Sequence, residues 1–165
     1  MNQKIALLLL VGLMGCDMET PVHFEGTIQP ATQFGVTTLT GTTVNFEAMA
    51  AIPTQATFDP KTQDVTVHMQ NETLIFKNAK LKNEHEFQVS PFYSTLKTLN
   101  GTDLGLRVVR NADCIDACNS LNRCRFERYK VTGSIFSNSA DELATIQGHS
   151  PATAEETALP GFCQH

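Results

Sequence analysis

The chain has 165 residues and a formal net charge of −5 at pH 7, from 12 Lys and Arg against 17 Asp and Glu. A chain of this length typically forms one domain with a self-sufficient apolar core. The acidic balance argues against nucleic acid as a partner, because nucleic-acid affinity depends on clustered Lys and Arg.

The first sixteen residues form a distinct segment. Lys4 is followed by an apolar block, residues 5–14, and Gly15 separates this block from Cys16. A membrane-spanning helix needs about 20 apolar residues, so the block is too short to cross a bilayer. A basic head, a short apolar block and a small residue predict a secretory signal peptide over residues 1–15.

Leu13, Met14, Gly15 and Cys16 resemble the lipobox of bacterial lipoproteins. The resemblance implies that the Cys16 thiol receives a diacylglyceryl group, that a peptidase cuts just before Cys16, and that the new amino terminus is acylated. Two or three such chains hold stably, because each buried methylene contributes about 0.8 kcal/mol. The alternative is an ordinary signal peptide, but residues 14–18 lack the spaced small residues of its cleavage site.

The lipobox resemblance also implies a location. We expect a lipid-anchored protein in the bacterial cell envelope that faces the periplasm, with residues 16–21 as the lipidated amino terminus and a short linker. Asp17 resembles the inner-membrane retention signal of enteric lipoproteins. Other bacteria do not all follow that rule, so the inner and the outer membrane both stay open.

Residues 22–89 show the two-residue alternation of half-buried strands. In the first of them Val22, Phe24 and Ile28 alternate with polar residues. Turn-forming segments such as residues 59–64 separate these runs at near-regular spacing, which is typical of a sandwich or barrel. The predicted strands here are 22–29, 34–40, 44–48, 65–70, 73–81 and 85–89.

The second half of the chain adds helix signals. Ser90 and Pro91 favour a helix start, and two pairs, Ser139 with Glu142 and Thr153 with Glu156, have the spacing of a capping box. The predicted helices are 91–99, 140–147 and 153–159, with a helical turn at 113–121 and strands at 106–110 and 125–136.

These elements predict the fold class. Residues 22–165 should form a single domain that is mainly β, an antiparallel sandwich or barrel-like meander with two or three short helices in the C-terminal half. An α+β fold is the alternative.

Four cysteines follow Cys16, namely Cys114, Cys118, Cys124 and Cys163. An even number in an oxidising compartment indicates two disulfides. Three connectivities are possible, and we favour Cys118 with Cys124 and Cys114 with Cys163. The rival interpretation is a zinc site, since thiolates bind zinc. Their spacings match neither a zinc ribbon nor a redox motif, so no metal site is predicted.

No constellation typical of an enzyme is present. The histidines are dispersed, no nucleophile elbow or phosphate loop occurs, and no cofactor motif is found. The most suggestive cluster is Glu84-His85-Glu86, since a carboxylate can orient an imidazole. Neighbouring side chains on a strand point to opposite faces, so we interpret it as a polar edge. No catalytic residue is predicted, although residues assembled from distant positions would escape this reasoning.

The basic residues concentrate in the middle of the chain. Residues 77–130 carry most of them, whereas residues 17–76 are acidic apart from Lys61. We expect the basic side chains to lie on solvated faces and to pair with the acidic first half. A patch that meets anionic headgroups or an acidic partner is the alternative.

The sequence favours a noncatalytic binding or structural module of the cell envelope. A tethered β domain can present a surface or an open sheet edge to an envelope protein without special side chains. A small-ligand carrier is the first alternative, because the ten phenylalanines suit either a lined cavity or a filled core. An envelope hydrolase is the second.

Overall fold

The computed structural model describes residues 22–83, 85–115, 126–139 and 141–158. These residues form twelve strands and one helix, and every strand pairing is antiparallel, so the mainly β fold class is confirmed. The strands are β1 His23–Pro30, β2 Phe34–Thr37, β3 Thr43–Phe46, β4 Ile52–Asp59, β5 Asp64–Met69, β6 Thr73–Phe76, β7 Lys80–Leu81, β8 Glu86–Val89, β9 Lys97–Thr98, β10 Leu104–Ile115, β11 Phe126–Ser137 and β12 Glu142–His149, and the helix is α1 Ala154–Ala158.

Nine strands form one curled sheet in the order β6-β5-β4-β1-β12-β11-β10-β8-β7. The two edge strands, β6 and β7, are separated in the chain only by residues 77–79, so the sheet must bend round to bring its edges together. Phe58 on β4 and Phe87 on β8, near opposite edges, have ring centroids 5.8 Å apart. The sheet is therefore a half-barrel closed over a shared core.

Two glycines allow β1 and β12 to approach closely. Gly26 on β1 lies opposite Gly148 on β12. A Cβ on Gly26 would lie 2.5 Å from the Gly148 Cα and 2.8 Å from the Gln147 carbonyl carbon. Only a residue without a side chain permits this approach of two backbones, a use of glycine found where sheets bend sharply.

Apolar side chains from alternating positions fill the half-barrel. Phe24 and Ile28 of β1 are buried, as the alternation predicts, and so are Val65 and Val67 of β5. The largest fully buried side chains include Phe24, Phe46, Phe76, Leu74 and Leu106. Phe24, Phe46 and Phe76 therefore belong to the packed core.

The register divides the half-barrel into two ends. The proximal end contains Val22, the turn at 60–63 and residues 77–79, where the Ala79 N–H donates to the Gln63 carbonyl at 2.7 Å. The distal end contains the turns at 31–33, 47–51, 70–72 and 138–141. β1 has eight residues and runs from one end to the other, a span of about 24 Å at the usual rise of a strand.

A second sheet, in the order β3-β2-β9, covers the distal end. Two backbone hydrogen bonds fix the segments that flank it. The Ala31 N–H donates to the Leu143 carbonyl at 2.9 Å and the Met49 N–H donates to the Pro30 carbonyl at 2.9 Å. Between these contacts Phe34 and Phe46 stack with their ring centroids 4.5 Å apart.

The helix predicted over residues 140–147 is wrong. This segment belongs to β12, which lies between β1 and β11 and buries Ala144, Ile146 and Gly148 in alternation. Pairing on both sides supplies hydrogen bonds to the whole strand, and this outweighs the local capping signal. Ser139 bonds Asp141 in the β11–β12 turn and does not cap a helix.

The helix predicted over residues 91–99 is also wrong. Ser90 and Pro91 begin only a turn, in which the N–H groups of Tyr93 and Ser94 donate to the Ser90 carbonyl. The chain then pairs with other strands, because β9 bonds β2 and the Leu104 N–H donates to the Leu96 carbonyl at 3.0 Å. Strand pairing has again overridden a local signal.

The third predicted helix is present as α1, which the capping box begins. The Glu156 N–H donates to Thr153 Oγ1 at 3.3 Å, and the Thr153 N–H donates to Glu156 Oε2. The helical turn predicted at 113–121 is wrong over residues 113–115, which continue strand β10, and its later residues lie outside the described ranges.

Most of the targeting and disulfide predictions fall outside the described ranges. These predictions concern the signal peptide at 1–15, the linker at 16–21 and the side chains of all five cysteines. Of the cysteines, only the backbone of Cys114 is described, on β10. The acylation of Cys16 and the disulfide pairing therefore stay predictions. Among the described residues, no helix has the length and apolar character to cross a bilayer.

Candidate functional site

A polar cleft of about 460 Å³ lies at the distal end. It opens between the small sheet and the β11–β12 turn. Three amide side chains face it, those of Gln33, Asn45 and Asn100. Hydroxyl groups make up half of the remaining lining, namely those of Thr32, Thr98, Thr102, Ser137 and Ser139.

The rest of the cleft is apolar. Phe34, Leu99 and Leu143 line it, and Leu99 is 57% exposed. Gly35 keeps this part open, because a Cβ there would lie 2.5 Å from Leu99 Cδ1 and 3.1 Å from Asn45 Oδ1. The sequence thus combines hydrogen-bonding groups with an apolar surface in one concave site, with a more polar lining than the mainly apolar lining of most small-molecule pockets.

Short hydrogen-bonded turns fix the polar walls. On one side Ser137 Oγ and Ser139 Oγ lie 2.9 Å apart, and Ser139 Oγ donates to Asp141 Oδ2 at 2.8 Å. On the other side the Thr102 N–H donates to Thr98 Oγ1 at 3.1 Å. Gly101, at φ 80°, permits this second turn, since glycine adopts positive φ readily.

The cleft carries little charge. Asp141 is the only ionisable residue among the described lining residues. The serine chain that ends on its carboxylate includes no described imidazole or amine that could activate a hydroxyl group. The cleft therefore presents mainly neutral hydrogen-bond donors and acceptors, which can orient a polar ligand.

The predicted polar cluster at residues 84–86 is not part of the cleft. Glu86 Oε1 pairs with Arg107 Nε at 3.0 Å and with Lys82 Nζ at 3.7 Å, so two cations hold its carboxylate. The His85 N–H donates to Asn83 Oδ1. Glu84 lies outside the described residues.

The four histidines that the structure describes do not form a metal site. His68 Nδ1 lies 3.4 Å from Thr73 Oγ1, and His149 Nε2 lies 3.9 Å from Asp113 Oδ2. Among the residues that the structure describes, no three His, Cys, Asp or Glu side chains are grouped as a metal site requires.

The prediction that the middle basic residues pair with the acidic first half holds for one of the five ion pairs that they form among the described residues. Lys77 pairs with Asp64 of the acidic first half at 3.3 Å. Lys97 pairs with Asp103 at 3.3 Å, and Arg128 pairs with Glu156 at 2.9 Å.

The pair of Arg128 and Glu156 fastens α1 to the proximal end. The Glu156 side chain is 1% exposed. Burial alone would raise the pKa of this carboxyl, but the hydrogen bonds from Arg128 and Thr153, with the guanidinium charge, hold its pKa below the ordinary value of 4.5. This contact lies at the opposite end of the half-barrel from the cleft and joins α1 to β11.

Sequence reasoning did not find the cleft residues. They come from four separated segments, residues 32–35, 45, 98–102 and 137–143. Two of these segments overlap the wrongly predicted helices. Residues 100–102 and 137–141 are rich in turn-forming residues, which predict loops. They do not predict that these two loops lie next to each other.

Comparison of the chain with protein-family models, with curated proteins and with solved structures finds no match.

Proposed function

We propose that this protein is a lipid-anchored module of the bacterial cell envelope that binds another envelope component, without catalysis, through its distal end. The proposal is supported by the positions of the first described residue and of the polar cleft, which lie at opposite ends of the domain. The described chain begins at Val22 at the proximal end, while the polar cleft lies at the other end of the half-barrel.

The linker between Cys16 and Val22 is short enough to determine which end of the domain lies near the bilayer. Cys16, the proposed anchor, is six residues before Val22, and six extended residues span at most about 20 Å. A lipid on Cys16 therefore keeps the proximal end near the bilayer. The cleft then stands about 24 Å further out, at the far end of β1.

Charge supports the same orientation. The turns and small sheet of the distal end, so far as the structure describes them, carry Lys97 as the only cation, and it is paired with Asp103. The carboxylates there are Glu47, Glu72, Asp103, Asp141 and Glu142. An acidic end is repelled by anionic lipid headgroups.

The other candidates have less support. A carrier with an apolar cavity needs an empty interior, whereas Phe24, Phe46 and Phe76 pack the core. A hydrolase needs an activated nucleophile or water, and the described lining of the cleft offers serines next to a carboxylate without a basic partner.

Site-specific photo-crosslinking in intact cells tests the proposal. A benzoylphenylalanine replaces Leu99 at the rim of the cleft or, as the proximal counterpart, the exposed Lys61. We expect position 99 to capture an envelope component reproducibly and position 61 to capture lipid or nothing. Lipid at position 99, or no product above the unirradiated control there, would contradict the proposal.

A further inference from the structure

We propose that the distal cleft binds a neutral saccharide of one or two sugar rings. This inference rests on the proposed function, since it assumes that the distal end carries the binding site. It adds the chemical class of the ligand, which follows from three properties of the cleft: its hydrogen-bonding groups, its charge and its apolar surface.

The hydrogen-bonding groups require a ligand rich in both donors and acceptors. The amides of Gln33, Asn45 and Asn100 each offer two donor hydrogens and an acceptor oxygen. No described group of the protein bonds any of these three amides, so they remain available. Threonine hydroxyls between them can donate or accept. Adjacent hydroxyl groups on a sugar ring match this density of mixed partners.

The charge of the cleft selects against anionic ligands. No Lys, Arg or His side chain is among the described lining residues, and Asp141 contributes a carboxylate. A phosphate or a uronic acid would enter without a counter-charge and would face this carboxylate. Buried or half-buried charge without a partner is strongly disfavoured, so a nucleotide or an acidic sugar fits poorly.

The apolar part of the cleft fits the C–H face of a sugar ring. One face of the Phe34 ring stacks on Phe46 with an interplanar angle of 1°, and the remaining surface of Phe34 lines the cleft beside Leu99. An aromatic face carries negative charge density, which attracts weakly positive C–H groups.

The size and form of the cleft disfavour a polymer backbone. Its volume of about 460 Å³ lies in the lower part of the range of small-molecule pockets, about 300–1,000 Å³. An extended peptide would need the regularly spaced N–H and C=O groups of an open strand edge. The cleft offers side-chain amides and hydroxyls at its walls, which suit a compact ligand.

The test uses the full mature protein in octaethylene glycol monododecyl ether, a detergent without a sugar headgroup. Cellobiose, maltose and N,N′-diacetylchitobiose are the neutral probes, and digalacturonic acid is the charged comparison. Saturation-transfer NMR detects binding and calorimetry measures the Kd. We expect at least one neutral disaccharide to bind and digalacturonic acid to bind at least about tenfold more weakly.

Variants connect binding to the cleft. Asn45→Ala removes an exposed amide and should weaken binding about tenfold. Thr43→Ala is the matched control, because Thr43 lies two residues away on the same face of β3 but outside the cleft. Gly35→Ala should fill the apolar part and weaken binding further. If Gly35→Ala does not fold, Asn45→Ala alone decides.

Three results would overturn the inference: no binding of any neutral probe, equal binding of digalacturonic acid, or binding that Asn45→Ala leaves unchanged. A negative saccharide result together with reproducible crosslinking of a protein at position 99 would refute the saccharide and leave the proposed function standing. Saccharide binding without reproducible crosslinking at position 99 would refute the proposed function and leave the saccharide inference standing.

Discussion

The glycines of the half-barrel provide a severe test of the fold. In Gly26→Ala the new Cβ would lie 2.5 Å from the Gly148 Cα and 2.8 Å from the Gln147 carbonyl carbon. Both atoms belong to the backbone of β12, so no side chain can rotate away. β1 and β12 must separate locally, and hydrogen bonds between them must lengthen or break.

The magnitude follows from two contributions. Forcing one extra methyl group into a closely packed site destabilises by about 1–3 kcal/mol, and losing one ladder hydrogen bond adds about 1 kcal/mol. We therefore expect Gly26→Ala to lower the free energy of unfolding by about 2–4 kcal/mol. For a chain of this size that corresponds to a fall in Tm of roughly 6–12 °C.

Urea denaturation followed by circular dichroism measures this loss. Thr27→Ala is the matched control, because Thr27 is the next residue on β1 and its side chain is exposed. We expect this control to lose at most about 1 kcal/mol. A Gly26→Ala variant as stable as Thr27→Ala would refute the close approach of β1 and β12.

Three further predictions concern the anchor, the cysteines and α1. Cys16→Ala should leave the membrane fraction or remain as uncut precursor, and unchanged membrane partition on fractionation would count against the anchor. Thiol labelling of the unreduced, denatured mature protein should find no free sulfhydryl, whereas two or more would revive the metal interpretation. Glu156→Gln should destabilise the protein by about 2 kcal/mol at pH 7, because the substitution removes the carboxylate charge that the Arg128 guanidinium contacts. The folded-state pKa of Glu156 is lowered, so its contribution is present above pH 4.5 and is lost as the pH falls through the folded pKa. The variant should therefore lose less stability than the parent between pH 5 and pH 3 in urea titrations. Glu155→Gln, an exposed change on the same helix, should behave like the parent.

Strands such as β1 and β5 could be predicted because buried and exposed residues alternate along them, whereas β4 Ile52–Asp59 was not predicted. Phe24 and Ile28 on β1, and Val65 and Val67 on β5, repeat every two residues and face the core. This signal depends only on which side of a strand is buried.

The two wrong helices show where local signals fail. Ser139 and Glu142 have the spacing of a capping box, and so have Thr153 and Glu156, yet only the second pair begins a helix. The difference is tertiary. The segment after Ser139 has partner strands on both sides, β1 and β11, whereas α1 follows the end of β12.

The candidate site could not be predicted from local patterns. Asn45, Thr98 and Ser139 meet only because β2 and β9 pair and the small sheet lies over the β11–β12 turn. The curl of the large sheet is equally non-local, and the close approach of β1 and β12 at Gly26 and Gly148 shows only in the paired strands.

In the proposed arrangement, a lipid on Cys16 holds the proximal end at the membrane and directs the cleft outward. Intact-mass spectrometry of the protein extracted from membranes tests it most directly. The account predicts a chain that begins at Cys16 and carries a diacylglyceryl group, commonly with a further acyl chain. An unlipidated polypeptide that still begins at Met1 would contradict it.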